Sequence, residues 1–357
     1  MKAARLYGKQ DLRLEEVPMP EVKPGEVLIK VKAVGICGSD LSRYTKLGPK
    51  FPDRGPLVWG HEFSGEVTEV GEGVTSYKAG DHVTACPALP CFECEYCKKG
   101  EYARCMTLEV IGAVRDGAFA EYIALPERNL VPLPKNVSFE QAALIEPTCV
   151  CFHGLYKLNM QPGDDVAVMG CGPIGLLAIQ SAKVFGAKRI IAIDIMEEKL
   201  EWAKACGATD VVLSKIDDYD SARNGVLEVT NGRGVDVVIE SGGTPVTSAQ
   251  VLGLGCKGAK VLYLGIPYGD ITIPREYFEK IGRSELTIYG AWNAIQQGFP
   301  GKPWTSVVAF LEKGMLDFSP IITHRYPLDD IEEVFKANYE RKTLFGKILF
   351  FPEGVEK

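Results

Sequence analysis

Several features that would direct a protein to a membrane or to a secretion pathway are missing from this chain of 357 residues. No apolar run reaches the ~20 residues that span a bilayer. Residues 1–17 alternate charged with apolar side chains and lack the long apolar core of a secretion signal. Internal repeats and low-complexity linkers are also absent. We therefore expect a soluble, cytoplasmic globular protein.

The chain also has no excess of basic charge. It carries 40 Lys and Arg against 47 Asp and Glu, which gives a formal net charge of −7. This balance argues against nucleic acid as the main partner, but it leaves room for one local basic pocket that binds a small phosphate. Disulfide stapling is not needed, because a chain of this length can bury a large core.

Cysteine, in contrast, is plentiful and unevenly placed. Five of the eleven cysteines lie between Cys86 and Cys105, and four of these follow the pattern Cys91-x₂-Cys94-x₂-Cys97-x₇-Cys105. Four thiolates in a short loop can surround Zn²⁺ at ~2.3 Å and close its coordination shell. The pattern therefore predicts a structural zinc that stabilises a lobe too small to have its own core. Reduced free thiols or a disulfide pair are the alternatives, and Cys86 is unassigned.

The pattern of apolar and polar residues changes near residue 164. Before it, short alternating runs such as 26–31 and 66–70 end at Gly or Pro, which is typical of irregular β structure. After it, apolar runs alternate with stretches of helical spacing, at residues 166–169, 173–185, 189–194, 197–206, 211–213, 236–240 and 260–264. This alternation predicts an α/β fold with a doubly wound parallel sheet. The tail holds amphipathic stretches at 304–316 and 329–339 and a strand at 347–351, and we expect it to return to the first domain.

A G-x-G-x-x-G pattern marks the turn after the first of these apolar runs. Asp194 lies 19 residues beyond its last glycine, at the end of the next run, which is the context of a dinucleotide-binding site. The Asp194 carboxylate can accept hydrogen bonds from the ribose hydroxyls and would repel a 2′-phosphate, so NAD is favoured over NADP. A glycine-rich turn with Asp194 as an ordinary helix cap is the alternative. The predicted cofactor-binding residues are Gly170, Gly172, Pro173, Ile174, Gly175, Asp194 and Lys199.

Together, the cysteine pattern and the dinucleotide pattern resemble the zinc-containing medium-chain dehydrogenases over nearly the whole chain. The resemblance implies a β-rich GroES-like catalytic domain formed by residues 1–155 and 291–357, with the zinc lobe at 86–106. It also implies a Rossmann-type dinucleotide-binding domain at 156–290.

Three further segments carry this resemblance and imply a second, catalytic zinc. They are Gly35-Ile36-Cys37-Gly38-Ser39-Asp40, Gly60-His61-Glu62-Phe63 and Ile145-Glu146-Pro147. By resemblance, Cys37 and His61 are ligands, the third protein ligand is Glu62 or Glu146, and a fourth position stays open. The polyol-dehydrogenase branch has a Glu where other members have a second Cys, and Glu146 stands there. Taken singly, each of these residues could instead be a core or salt-bridge residue.

The resemblance implies that zinc lowers the pKa of a substrate hydroxyl while hydride passes to NAD. Ser39 matches the family's Ser or Thr position in the proton relay, and Glu62 or Glu146 offers a second route for the proton. The histidine that classical alcohol dehydrogenases use further along the relay is absent, and Ser42 and Arg43 occupy its neighbourhood. This departure points away from simple primary alcohols.

Other segments resemble the galactitol-1-phosphate 5-dehydrogenases, which oxidise galactitol 1-phosphate to tagatose 6-phosphate. The segments are residues 87–94, 111–122, 285–293 and 300–304. Arabitol phosphate, sorbitol, xylitol and L-threonine are the neighbouring substrates in this part of the family. A phosphorylated substrate needs a cationic anchor, for which the candidates are Arg43, Arg115, Arg283 and Lys347.

Other functions stay open at this point. They are a zinc-free reductase or quinone oxidoreductase of the same fold, an NAD-binding protein without turnover, and a nucleic-acid-binding zinc finger. The last lacks a basic recognition helix. The strand expected near residues 285–291 could pair across a two-fold axis, as in relatives, so we expect a homodimer, with a homotetramer as the alternative.

Overall fold

A computed structural model describes residues 1–49, 55–340 and 344–355. The chain forms two compact units, one made of Met1–Glu146 together with Ala294–Lys357 and the other of Pro147–Asn293. The first unit is therefore discontinuous. In the described part of the chain, none of the helices combines the length and the apolar character that crossing a bilayer requires.

The N-terminal part of the first unit consists of short strands and short helices. The strands are β1 (Lys2–Gly8), β2 (Asp11–Glu16), β3 (Glu26–Gly35), β4 (Leu57–Val58), β5 (Glu62–Val70), β6 (His82–Ala85), β7 (Ala88–Leu89), β8 (Glu109–Val110), β9 (Tyr122–Pro126) and β10 (Leu130–Pro132), and the helices are α1 (Gly38–Ser42), α2 (Glu95–Lys98), α3 (Phe139–Ala142) and α4 (Ile145–Lys157). Helix α4 continues into the second unit.

The second unit is a six-stranded parallel sheet whose strands alternate with helices. Its elements are β11 (Asp165–Met169), α5 (Pro173–Val184), β12 (Arg189–Asp194), α6 (Glu197–Ala205), β13 (Asp210–Leu213), α7 (Ser221–Val229), β14 (Val235–Glu240), α8 (Pro245–Gln250), β15 (Gly255–Tyr263), α9 (Arg275–Arg283) and β16 (Thr287–Gly290). The strand order is β13-β12-β11-β14-β15-β16. The chain adds strands from β11 towards one edge and then, from β14, towards the other edge, as in Rossmann sheets. All five residues of β11 are buried, as expected for a strand covered on both faces. The predicted α/β class with a doubly wound parallel sheet is confirmed.

The tail of the chain completes the first unit. Its elements are α10 (Lys302–Glu312), β17 (Ile322–Pro327), α11 (Ile331–Tyr339) and β18 (Lys347–Phe351). Strand β18 pairs with β3 and β17, which gives a sheet of order β10-β6-β5-β3-β18-β17, with β9 also paired to β3. Apolar side chains from β3, β5, β18 and α11, including Ile29, Phe63, Phe350 and Phe335, form one buried core beside this sheet. The core holds the ends of β3, β5 and β18 in fixed positions.

Candidate active site and cofactor site

The first functional cluster forms where β3 ends and β5 begins. In the antiparallel register, Gly35 at the end of β3 faces Glu62 at the start of β5, and Leu349 of β18 faces Gly35 from the other side. Cys37 therefore leaves the sheet beside His61 and Glu62. Their ligand atoms, one from each side chain, all lie within 4.8 Å of one another. A thiolate, an imidazole and a carboxylate at this spacing fit a zinc ion with three protein ligands and one exchangeable position.

Asp40 supports this cluster from the first turn of α1, a role that the sequence analysis missed. Its Oδ2 accepts a hydrogen bond from the Cys37 backbone N–H at 3.0 Å, and its Oδ1 lies 3.9 Å from Nδ1 of His61. Asp40 is only 2% exposed, and this burial raises the pKa of its carboxyl. The carboxylate faces the imidazole without a hydrogen bond to it among the described residues, at the position where a carboxylate commonly supports a metal-binding histidine. The Cys-x-x-Asp spacing at a helix start was the available signal.

The charges inside the cluster are strongly coupled. Burial alone would raise the pKa of the Cys37 thiol, but the charge and hydrogen bond of His61 lower it overall. Burial alone would lower the pKa of His61, but the charge and hydrogen bond of Cys37, with smaller contributions from Asp40 and Glu146, raise it to about 10. The protein thus favours the thiolate, which is the form of cysteine that binds metal.

Lys347 contradicts the expectation that it could anchor a substrate phosphate. It is 1% exposed, and its Nζ donates hydrogen bonds to the Ile36 carbonyl at 2.6 Å and to Oε2 of Glu62. Burial lowers the pKa of Lys347 to about 8. The ammonium lies behind the metal cluster and compensates the charge of Glu62, because β18 brings the tail of the chain beside β3. Lys347 is therefore a structural partner of Glu62.

The other two residues predicted for proton transfer or metal binding lie nearby. Glu146 is 7% exposed and interacts electrostatically with His61, and burial raises the pKa of its carboxyl. The cluster within 4.8 Å comprises Cys37, His61 and Glu62 without Glu146. Ser39 is half-buried in the first turn of α1, two residues after Cys37. The roles of Ser39 and Glu146 stay predictions.

The four cysteines of the lobe form a second metal-binding cluster. Their Sγ atoms all lie within 4.8 Å of one another, and Sγ of Cys91 is 3.5 Å from Sγ of Cys105 and 3.9 Å from Sγ of Cys97. These distances match the ~3.8 Å edge of a tetrahedron of sulfurs around zinc and exceed the ~2.05 Å of a disulfide bond. Backbone N–H donors from Glu93 and Cys94 lower the pKa of Cys91 to about 6, which favours a thiolate.

The local structure of the lobe explains how so short a segment gathers four sulfurs. The paired strands β7 and β8 close its base, and Cys94 begins helix α2, which carries Cys97. The ring of Phe92 contacts Tyr102 and Phe299 at 5.3 Å between centroids, and the guanidinium of Arg128 lies 4.6 Å from its centre. Because the described contacts of the lobe are few, we expect its folding to depend on a bound metal.

The glycine-rich turn in the second unit has the geometry of a phosphate-binding loop. Gly170 adopts φ +93°, and a Cβ there would meet Gly242 at 2.7 Å, while a Cβ on Gly175 would meet the Gly170 carbonyl at 1.8 Å. Both positions therefore require glycine. A Cβ on Gly172 would meet nothing within 4 Å, so the space in front of the loop is open. Gly172 caps α5, with Pro173 and Ile174 in its first turn, and this helix end offers N–H groups to a phosphate.

Asp194 is held rigidly at the end of β12. Its Oδ2 accepts a hydrogen bond from the Cys171 N–H at 2.7 Å, and its Oδ1 accepts from the N–H groups of Ile195 at 2.8 Å and Met196 at 3.1 Å. The carboxylate thus connects the glycine-rich turn to the start of α6 and keeps lone pairs for further donors. Lys199 is half-buried in α6 and interacts electrostatically with the thiol of Cys171.

The remaining candidate cations differ in their partners. Nε of Arg115 lies 2.6 Å from a carboxylate oxygen of Glu109, and Nε of Arg283 lies 2.8 Å from one of Glu279. Among the described residues, Arg43 donates one long hydrogen bond of 3.4 Å, to the Gly48 carbonyl.

Two stretches of the chain match known dehydrogenase families. Residues 23–135 match the alcohol dehydrogenase GroES-like domain, and residues 173–305 match the zinc-binding dehydrogenase family. The chain is 35% identical to sorbitol dehydrogenase of Bacillus subtilis (strain 168), over 99% of this chain and 97% of that protein. It is also 35% identical to galactitol 1-phosphate 5-dehydrogenase of Escherichia coli (strain K12), over 96% of this chain and 97% of that protein.

A solved structure extends this similarity to three dimensions. The crystal structure of galactitol-1-phosphate dehydrogenase from Escherichia coli superposes with a TM-score of 0.92 at 35% identity, covering 99% of this chain and 100% of that one. The chain therefore belongs to the zinc-binding medium-chain dehydrogenase family. It is a zinc-dependent alcohol dehydrogenase that acts on a CH–OH group, with a GroES-like domain and a Rossmann domain.

Proposed function

We propose that this enzyme oxidises a secondary hydroxyl of a polyol or polyol phosphate with NAD, and that galactitol 1-phosphate, giving tagatose 6-phosphate, is its substrate. The observation that carries the proposal is the cluster of Cys37, His61 and Glu62. The polyol branch of the family is indicated by Glu146, which supplies a carboxylate where members of the other branch have a second cysteine. Relatives named for sorbitol and for galactitol 1-phosphate, each 35% identical over nearly the whole chain, support the substrate class.

In the proposed reaction the substrate loses two hydrogens, one as hydride to NAD and one as a proton, to give a ketone. A bound zinc would supply a Lewis acid for the substrate hydroxyl, and a bound NAD would supply the hydride acceptor. Cys37, His61 and Glu62 would hold the metal, while Asp40 lies 3.9 Å from His61 and Lys347 balances the charge of Glu62. Ser39, two residues after Cys37 in the first turn of α1, and Glu146, which interacts electrostatically with His61, would carry the proton towards solvent.

We expect the dinucleotide-binding unit to favour NAD over NADP. The Asp194 carboxylate, fixed by three backbone N–H donors, can accept hydrogen bonds from the adenosine ribose hydroxyls. Glu197 and Glu198 are exposed in the first turn of α6 and add negative charge near that position. A 2′-phosphate would be repelled by the carboxylates of Asp194, Glu197 and Glu198, which outnumber the one cation of that turn, Lys199.

A single screen tests the proposal. Zinc-loaded enzyme is assayed for reduction of NAD and of NADP with galactitol 1-phosphate, galactitol, sorbitol, xylitol, arabitol phosphate and L-threonine, and zinc is quantified in the same sample. We expect two zinc ions per chain, the highest kcat/KM with galactitol 1-phosphate, and NAD preferred. Preference for L-threonine would refute the polyol assignment. L-threonine belongs in the screen because an L-threonine 3-dehydrogenase is 36% identical to this chain. Turnover by zinc-free enzyme would instead favour a zinc-independent reductase.

A further inference from the structure

The four cations that could hold a substrate phosphate are not equivalent. Lys347 pairs with Glu62 in the interior, Arg115 pairs with Glu109, and Arg283 pairs with Glu279. Arg43 has no carboxylate partner among the described residues, and its one hydrogen bond, to a backbone carbonyl at 3.4 Å, is long. Arg43 therefore keeps most of its charge and most of its N–H donors available to a ligand.

The side chain of Arg43 lies over the ring of Trp59. Its guanidinium carbon lies 6.0 Å from the centre of the Trp59 ring. Trp59 is 4% exposed and is fixed by backbone hydrogen bonds to Phe119 and Ala4. A guanidinium over an aromatic face is weakly attracted to it and keeps its in-plane N–H fork free for a planar or tetrahedral anion.

A second observation indicates that the surroundings of Arg43 and Trp59 favour an anion. Nε1 of Trp59 is buried and has no hydrogen-bond acceptor in the described part of the chain. Beside it lies Arg43, whose side chain carries donors alone. The pair thus supplies donors, while the Gly48 carbonyl is the one acceptor bonded to Arg43 among the described residues.

Both residues lie on the segments that carry the metal ligands. Arg43 follows Cys37 by six residues across α1, which corresponds to roughly 9 Å of helical rise, and Trp59 precedes His61 by two residues. This backbone separation is comparable to the length of a five- or six-carbon polyol that carries a terminal phosphate.

We propose that Arg43, supported by Trp59, binds the phosphomonoester of a phosphorylated polyol and sets the preference of the enzyme for the phosphorylated over the free polyol. This inference rests on the proposed function and names the group that recognises the substrate. Arg43 acts as a bidentate anchor, so both its charge and its fork geometry matter.

The test compares kcat/KM for galactitol 1-phosphate with kcat/KM for galactitol in the wild type and in Arg43→Gln, Arg43→Lys and Arg115→Gln. Loss of a charged hydrogen-bonding group should lower the ratio of these two values about 10- to 100-fold in Arg43→Gln. Arg43→Lys should lose part of the ratio, because it keeps the charge without the fork. Arg115→Gln, the matched surface control, should leave the ratio unchanged.

Binding of inorganic phosphate provides a readout that does not depend on turnover. Calorimetric titration of zinc-loaded protein saturated with NAD should show phosphate binding that weakens about 10-fold or more in Arg43→Gln but not in Arg115→Gln. Thermal unfolding of each variant identifies a folding defect. If Arg43→Gln is unfolded, Arg43→Lys decides by the same two measurements.

The outcomes separate the anchor from the proposed function. If the wild type oxidises the free polyol as well as the phosphorylated one, the polyol assignment stands and the anchor is refuted. An equal loss on both substrates in Arg43→Gln also refutes the anchor, since it marks a purely structural role. If no polyol is oxidised, the proposed function fails, and the anchor then stands or falls with the phosphate titration.

Discussion

Glu240 is a buried carboxyl at the end of β14 that no sequence pattern marks as special. It is 0% exposed, and its Oε1 accepts hydrogen bonds from the Gly243 N–H at 2.9 Å and from Oγ1 of Thr247 at 2.7 Å. Its Oε2 has no partner in the described part of the chain. Burial raises the pKa of this carboxyl, because an ionised oxygen without a donor is costly in the interior.

This environment predicts how stability changes with pH. A carboxyl whose pKa is raised in the folded state stabilises the fold below its unfolded pKa of ~4.3, and this contribution is lost as pH rises towards the folded pKa. Glu240→Gln keeps the Oε1 acceptor and removes the titration. In the variant, we expect the free energy of unfolding not to fall in this way as pH rises. At neutral pH it should be at least that of the wild type. Urea unfolding between pH 4 and 8 measures this.

The control for this prediction is Glu228→Gln, because Glu228 is exposed on α7. It should follow the wild-type pH dependence. If Glu240→Gln also follows it, Glu240 does not titrate in the predicted way.

A second prediction at this scale concerns Glu146. Its buried carboxyl lies close enough to His61 to interact with it electrostatically, so Glu146→Ala should lower kcat by about 10-fold or more and change NAD binding much less. Steady-state kinetics and NADH titration measure the two effects. Glu140→Ala is the matched control, because Glu140 pairs with Arg325 at the surface. Unchanged turnover in Glu146→Ala would remove Glu146 from the mechanism.

Individual residues differ in how far the sequence could predict them. The four zinc-lobe cysteines lie close together in the sequence, and so do the glycines of the turn that precedes Asp194. For both groups, spacing alone predicts that the residues share one site. Cys37 and His61 required the family resemblance. Lys347 was misjudged because its partner Glu62 is 285 residues away, and only the pairing of β18 with β3 brings them together. Burial of a charge depends on such tertiary contacts.

At the scale of elements, the cysteine lobe is the part of the fold that depends on a ligand. It has short elements, α2 of four residues and strands β7 and β8 of two residues each, which have little buried apolar area of their own. Cys94→Ser should therefore reduce the zinc content from two ions per chain to one and lower the Tm by ~5 °C. Elemental analysis and calorimetry measure these two quantities.

Cys256→Ser is the control for the lobe, because Cys256 is a half-buried free thiol outside both metal-binding clusters. It should keep two zinc ions and nearly the wild-type Tm. Two zinc ions per chain in Cys94→Ser would mean that the lobe does not hold its metal through four sulfurs.

Element boundaries were predicted best where an apolar run coincides with a complete strand. Residues 189–194 and 347–351 became β12 and β18 without change. Strands β3 and β5 extend further than the runs at 26–31 and 66–70, because backbone pairing continues past the alternating pattern into Gly35 and Glu62. That extension is what positions the metal ligands. The helix expected at 304–316 begins two residues earlier, at Lys302.

At the scale of the whole molecule, β16 leaves one edge of the Rossmann sheet open. Within the described residues it pairs with β15 on one side and with no strand on the other. Ile288 in this strand and Trp292 just beyond it are 44% and 57% exposed. An apolar edge of this kind invites pairing with another strand, so we propose a homodimer in which two β16 strands pair across a two-fold axis.

Ile288→Arg tests this assembly, because a charge on the edge opposes strand pairing. We expect a dimer for the wild type and a shift towards monomer for the variant in sedimentation velocity. Ile216→Arg is the control, since Ile216 is 86% exposed in a loop, and it should stay dimeric. A dimeric Ile288→Arg would mean that another surface holds the subunits together.

In the proposed oxidation, a metal ion held by Cys37, His61 and Glu62 would activate the substrate hydroxyl, while NAD would accept the hydride. The most direct measurement is the zinc content of the wild type and of His61→Ala, together with NAD reduction by the same samples. We predict two zinc ions per wild-type chain, and one in His61→Ala with the four-cysteine site still filled and activity lowered by about 10³-fold or more. Two zinc ions or substantial activity in His61→Ala would contradict the account.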